Sequence, residues 1–185
     1  MEVKTVLLRV RELLNLPQEV QDGITSGGGS VWVQDEVNTL IQCFNAVENE
    51  LAVDYLPLYH EDTVQTETGA VFYTEFSRKP VRILGVKDEK GNALKYTIFP
   101  EYLKAQAGKI VVRYTYAPEA KYLYSESDYR LQASERLLAF GVATEYCLMR
   151  GRFEEASIWE KKYKQALKTA YKAYPSVVLR TRRWA

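Results

Sequence analysis

What most restricts the fold of this chain is a change of hydrophobic period, from helical to two-residue and back again. Between about Leu58 and Tyr116, Val81, Ile83 and Gly85 alternate with Arg82, Leu84 and Val86. In the same segment Leu94, Tyr96 and Ile98 alternate with Lys95, Thr97 and Phe99, and Ile110, Val112, Tyr114 and Tyr116 with Val111, Arg113 and Thr115. Successive side chains on a strand point to opposite faces, so these runs predict strands. Gly91-Asn92 within "DEKGNAL" supplies a hairpin turn between the first two, because both residues tolerate positive φ. With "AVFYTEF" beside them, the segment reads as a small antiparallel sheet.

On either side the period is helical. Val3, Val6, Leu7, Val10, Leu13 and Leu14 predict an amphipathic helix over about 2–15, ended by Pro17. Val37, Leu40, Ile41, Phe44, Val47 and Leu51 predict a second from about Gln34 to Tyr55, with Asp35 and Glu36 favouring the dipole of its first turn and Trp32 stapling back on it from outside. Leu131, Leu137, Leu138, Val142, Tyr146 and Met149 form a third after "SESDY". "RGRF" stops it, and a fourth runs from about Glu154 to Ala173. The last two form an antiparallel αα-hairpin, its seam made by Leu137, Leu138, Val142, Trp159, Tyr163 and Leu167 against Leu40, Ile41 and Phe44. The predicted fold class is therefore α+β: mainly a helical bundle of about four helices, with a small antiparallel β insertion between the second and third. The predicted bounds are a single domain over 1–185, with N-terminal helices over 1–56, the β insertion over 57–118, the hairpin over 126–174 and an extended arm over 175–185.

Several function classes find no support. At 185 residues, 46% hydrophobic and 26% charged, the composition is that of an ordinary globular domain. No apolar run reaches the length of a membrane span, and "MEVKTVLLRVREL" interrupts its apolar positions with charge as no signal peptide does. These features predict a reducing, cytosolic origin without membrane association, and Cys43 and Cys147 as two buried, reduced thiols. The single histidine, His60, has Glu61 and Asp62 beside it, but adjacent strand residues face opposite ways, so the acids do not turn it into a base. No serine, cysteine or lysine has a recognisable activating partner, and no metal-ligand spacing occurs. The expectation is a binding or structural protein with no catalytic residue, cofactor or metal.

Two segments stand out as candidate contact sites. "DGITSGGGSVW" predicts a mobile loop carrying Gly27, Gly28, Gly29 and Trp32; without a following Gly-Lys-Ser/Thr it is no phosphate cradle. The terminal "YPSVVLRTRRWA" places Val177, Val178, Leu179, Arg180, Arg182, Arg183 and Trp184 on an arm too apolar for a solvated tail and too short to fold alone. Arginine and tryptophan are the residue types that most often anchor interfaces, so the arm predicts a contact with a partner or a sister subunit. Charge is polarised too: ten basic and three acidic residues from Arg150 onward give +7, leaving −6 on the rest of a chain whose net charge is +1.

The order of parts is an amphipathic helix, a Gly-rich loop, "VWVQDEVNTLIQCFNAVENELAVDYLPLY", a β insert with "RKPVRILGVKDEKGNALKY", the strand "KIVVRYTYAPE", and "ERLLAFGVATEYCLMRGRFEEASIWEKKYKQALKTAY". Over nearly the whole chain it resembles the bacteriophage head–tail adaptor (connector or head-completion) proteins, and in plan it is similar to the tail tubular gatekeeper proteins of short-tailed phages. The resemblance implies a structural subunit of a ring, usually dodecameric, beneath the portal at the head–tail junction of the virion. Its partners would be the portal protein, further neck or tail proteins and its own copies, with DNA passing through the lumen in transient, non-specific contact. Assembly would take place in the host cytoplasm, from subunits that can be monomeric in isolation. Positions 175–185 match the segment that reaches toward the portal. The alternative is a nucleic-acid-binding module that uses the basic hairpin and the arginine arm on phosphate; it would lose affinity steeply with salt and need no protein partner.

Overall fold

The structure, a computed structural model, describes residues 1–173, so the arm over 175–185 and its seven candidate contact residues lie outside it. The chain divides into two compact units, one made of Met1–Leu51 with the chain from Glu119 onward, the other of Ala52–Pro118. The fold is α+β but not a four-helix bundle with a small insertion. Among the described residues there are five α-helices, placed at both ends of the chain, and the insertion is large, holding two three-stranded antiparallel sheets.

The helical unit contains α1 (Val3–Leu14), α2 (Gln18–Ser26), α3 (Val31–Glu50), α4 (Glu135–Met149) and α5 (Phe153–Ala173). The end of α3 widens into a π-helical turn over Leu51–Tyr55. The fifth helix is α2, which replaces much of the loop expected from "DGITSGGGSVW". Its buried residues Val20, Gly23 and Ile24 follow helical spacing. Gly23 is there for packing: a Cβ at this position would meet Val33 Cγ1 at 2.4 Å. Only residues 27–30 remain as connector, and Ser30 caps α3 by accepting the Val33 N–H at 3.4 Å. Trp32 therefore belongs to the first turn of α3 and is half-exposed rather than stapled from outside.

The hub of this unit is α4, which packs against α1, α3 and α5. Its stretch from Leu137 to Thr144 is buried without a break, which is the pattern of a helix covered on all sides. Gly141 sets the approach distance, since a Cβ there would meet Val47 Cγ1 of α3 at 2.6 Å and Tyr163 Cε2 of α5 at 3.0 Å. Leu137, Leu138, Val142, Tyr163 and Leu167 are buried as the seam requires, with Leu40 and Phe44 buried in α3; Trp159 and Ile41 lie only partly covered. Cys43 and Cys147 are free and buried.

The β unit holds one sheet in the order β1 (Leu58–Thr66), β6 (Gly108–Tyr116), β3 (Pro80–Asp88), and a second in the order β2 (Ala70–Phe72), β5 (Tyr102–Lys104), β4 (Thr97–Ile98). Ile110, Val112 and Tyr114 of β6 point inward as alternation predicts, and meet Val71, Phe76 and Leu103 in one core. On β3, register shifts between Pro80 and Arg82 and between Ile83 and Gly85 break the two-residue rule. Ile83 and Val86 therefore both enter the core, while Val81 and Leu84 face outward. The strand expected over residues 94–99 shrinks to Thr97–Ile98. The turn before it is held by Asp88, whose Oδ1 accepts the N–H groups of Lys90 and Asn92 at 2.9 and 2.8 Å, with Gly91 at φ +86°.

Candidate interaction surfaces

In the β unit the most polar cluster surrounds His60. Asp62 lies two residues further along β1, hence on the same face, with its Oδ1 3.4 Å from His60 Nε2. The expectation that the acids beside His60 face away thus holds for neighbours at i+1 and fails at i+2. Ser77 closes the cluster: its N–H and its hydroxyl both donate to Asp62 at 2.8 Å, and its oxygen lies 2.9 Å from His60 Nε2. Tyr114 on β6 donates its hydroxyl to Asp62 at 2.6 Å. Burial pushes the Asp62 carboxyl up, but the Tyr114 and Ser77 hydrogen bonds outweigh it and hold the group below its ordinary range. Burial and the Asp62 carboxylate push the Tyr114 hydroxyl up to about 12.

A serine made nucleophilic by histidine needs the acid on the second ring nitrogen, where it orients the ring. Here serine and aspartate both face Nε2, and Ser77 gives its N–H and hydroxyl to the carboxylate. The geometry is that of a lock joining the chain at Ser77 to strands β1 and β6. Among the described residues no group of three or more His, Cys, Asp or Glu side chains is placed to hold a metal ion.

In the helical unit the last turn of α4 and the turn into α5 are tied to the beginning of α3. Glu36, buried on α3, accepts hydrogen bonds from the Tyr146 hydroxyl and from the Arg150 guanidinium. Burial and the adjacent Glu36 carboxylate push the Tyr146 hydroxyl up to about 12. Cys43 approaches Met149 in the same region, with sulfur atoms 3.3 Å apart, and burial followed by the Glu145 charge pushes its thiol up to about 12. Glu36 thus does more than favour the helix dipole, the role its place near the start of the helix suggests. Its position one turn before Leu40, on the buried stripe of α3, is the sequence signal for a partnered buried acid.

Around this tie the surface is apolar. Trp32 lies one helical turn before Glu36, and Met149 and Phe153 flank the Arg150-Gly151-Arg152 turn; their exposures are 51%, 57% and 69%. Val31 and Leu148 beside them are exposed as well. Arg150 and Arg152 rim the group, the latter paired with Glu155. Large apolar side chains exposed at this end of the unit, with arginines beside them, have the composition of a contact surface.

Of the residues expected in a mobile loop, Gly27, Gly28 and Gly29 lie in the short connector between α2 and α3, and Gly27 and Gly28 line a groove of about 360 Å³ together with Val37, Ile41 and Tyr124. Trp32 belongs instead to the apolar end just described. Val177, Val178, Leu179, Arg180, Arg182, Arg183 and Trp184 fall outside the described residues. Among the described residues no helix is long and apolar enough to cross a membrane. Searched against protein-family models and against curated protein sequences, the chain matches none of them.

Proposed function

We propose that this chain is a structural subunit of a ring that joins the portal of a tailed bacteriophage to its tail and lets DNA pass, and that it performs no catalysis. The observation that carries this reading is the apolar end of the helical unit, where Trp32 in the first turn of α3 and Met149 and Phe153 beside the Arg150-Gly151 turn stand exposed. A ring subunit must offer one surface to a neighbour that presents a different one, and such heterologous contacts close only on assembly. The order of parts supports it too: helices, an inserted β unit, then two helices joined by an Arg-Gly turn, as in the adaptor family that the sequence resembles. On this reading the partners are the portal, neck or tail proteins and sister subunits, and residues 175–185 supply a portal contact.

The test is electron microscopy of the full chain mixed with a portal ring of the same phage. Added ring-shaped density is expected. It should be lost when residues 175–185 are deleted, with the melting temperature of the subunit unchanged, and weakened by Trp32→Ser combined with Phe153→Ser. A stable monomer that leaves the portal bare overturns the proposal.

The second reading, a nucleic-acid-binding module, draws on a different observation. The outer face of α5 is lined with lysine and contributes nothing to the apolar end.

A further inference from the structure

We infer that the outer face of α5 is a binding site for the phosphate backbone of double-stranded DNA, centred on Lys161, Lys164, Lys168 and Lys172. This deepens the nucleic-acid reading and does not depend on the ring. The four residues recur at three- and four-residue spacing, so they fall on one exposed stripe of the helix, beside the buried Leu167 and Tyr171. All four are exposed. From Lys161 to Ala173 the chain contains no acidic residue. Lys164 pairs with Glu160, while Lys161, Lys168 and Lys172 have no ion pair among the described residues.

A second feature extends the charge sideways. Next to the stripe lies a groove of about 540 Å³ lined by Leu131, Phe140, Arg136, Lys162, Gln165 and Thr169 among others. Arg136 and Lys162 are fixed over aromatic rings there, Arg136 at 5.1 Å from the centre of Phe140 and Lys162 at 4.2 Å from that of Trp159. Neither has a carboxylate partner among the described residues. The face therefore combines flexible cations along the helix with two held cations and the neutral donors Gln165 and Thr169 beside them.

The spacing suits a phosphate strand. From Lys161 to Lys172 the helix rises about 16 Å, and duplex DNA carries one phosphate per strand for every ~3.4 Å of its axis, on strands that wind around it. Long lysine stems reach sideways from the helix, so the four ammonium groups can meet phosphates on that curved path. An acidic protein is the less fitting occupant, because protein interfaces are depleted in lysine and enriched in aromatic residues at their centre, and the four residues of the stripe are all lysine. The apolar end, by contrast, has that composition.

The test is fluorescence anisotropy of the full chain with a labelled DNA duplex of about 20 base pairs between about 50 and 200 mM salt, the range over which phosphate binding shows its salt dependence. Replacing Lys161, Lys168 and Lys172 by Gln together should reduce the slope of log K against log salt by about 3, roughly 0.9 for each phosphate no longer neutralised. The substituted residues are exposed, so the circular dichroism melt should match that of the parent chain. Replacing Lys87, Lys90 and Lys95 by Gln removes the same charge from the β unit and should leave the slope unchanged. Failure of the parent chain to bind at low salt overturns both the nucleic-acid reading and the site. Binding with a slope that the α5 variant leaves unchanged, or that both variants reduce alike, overturns the site alone. Displacement of the duplex as readily by polyglutamate as by unlabelled DNA at equal charge overturns it in favour of an acidic protein partner.

Discussion

The two units of this molecule solve the problem of a core differently. In the helical unit one central helix touches three others, and Leu137 to Thr144 lie buried in succession on it. Its side chains are held by neighbours from both ends of the chain. In the β unit the core is a cluster of eight buried residues, drawn from four strands and from Phe76 outside them. A helix hub concentrates stability in few residues with many neighbours, whereas a small two-sheet core spreads it over pairs that register shifts can rearrange. Small cores of the second kind are the more marginal.

A matched pair of truncations separates the two cores. Leu138→Ala in α4 removes a fully buried side chain from the hub and should lower stability by about 2–5 kcal/mol. In hydrogen exchange the loss should spread over α1, α3, α4 and α5. Leu103→Ala, equally buried in the β unit, should lower protection in the β strands and leave α4 protected. Equal loss everywhere after Leu103→Ala would mean that the two cores unfold as one.

Two glycines test packing on a finer scale. Gly141→Ala forces a methyl against Val47 and Tyr163, for which overpacking of about 1–3 kcal/mol is opposed by about 1 kcal/mol of helix propensity; a net loss in urea unfolding is expected. Gly85→Ala on β3 meets nothing within 4 Å and should be neutral or stabilising by up to about 1 kcal/mol. A tolerated Gly141→Ala would show that the hub has room for a methyl group and is not closely packed.

The smallest expected effect concerns Glu48, buried near the end of α3. Its Oε1 accepts the Ser127 hydroxyl at 2.6 Å and the Asp128 N–H at 2.9 Å, while Oε2 has no partner. Burial raises its affinity for a proton against the opposing effect of these bonds. A carboxyl raised in the folded state favours folding at low pH, and that contribution disappears as pH rises through the folded value. Stability of the parent chain relative to Glu48→Gln should therefore fall as pH rises above the ordinary glutamate value of about 4.3. A constant difference in thermal melting above that value would show that Glu48 has no raised affinity.

Local periodicity made α1, α3, α5 and β6 legible, because each carries its apolar residues at the spacing its neighbours require. It failed where a residue serves a contact rather than a period. Gly23 reads as a loop residue, yet it is small so that Val33 can approach. Leu131 has helical spacing but is 89% exposed, and α4 begins only at Glu135, capped by Ser134, which accepts the Leu137 N–H at 3.2 Å. Strand β1 has a mostly polar surface between Leu58 and Thr66 and is recognisable only through its pairing with β6. Among the surfaces, Trp32 stands out in the sequence, whereas the exposure of Met149 and Phe153 at the Arg150-Gly151 turn is set by the packing of α4 and α5 and does not. Ser77 is far from His60 along the chain, and nothing in "SRKP" announces that it closes the cluster.

The placement of the β unit between α3 and α4 has a consequence during synthesis. Eighty-four residues separate Glu50 from Glu135. At about 5–20 residues per second the ribosome needs roughly 4–17 s to cross that interval, with further time before α4 clears the exit tunnel. Throughout this delay α1 and α3 have emerged without the helix that covers Val6, Leu7, Val10, Leu40 and Phe44. The nascent chain thus presents an apolar surface to its surroundings for seconds, long enough for a holdase chaperone to bind it. The residues that make the finished helical unit sturdy are the ones that most need protection while it is being made.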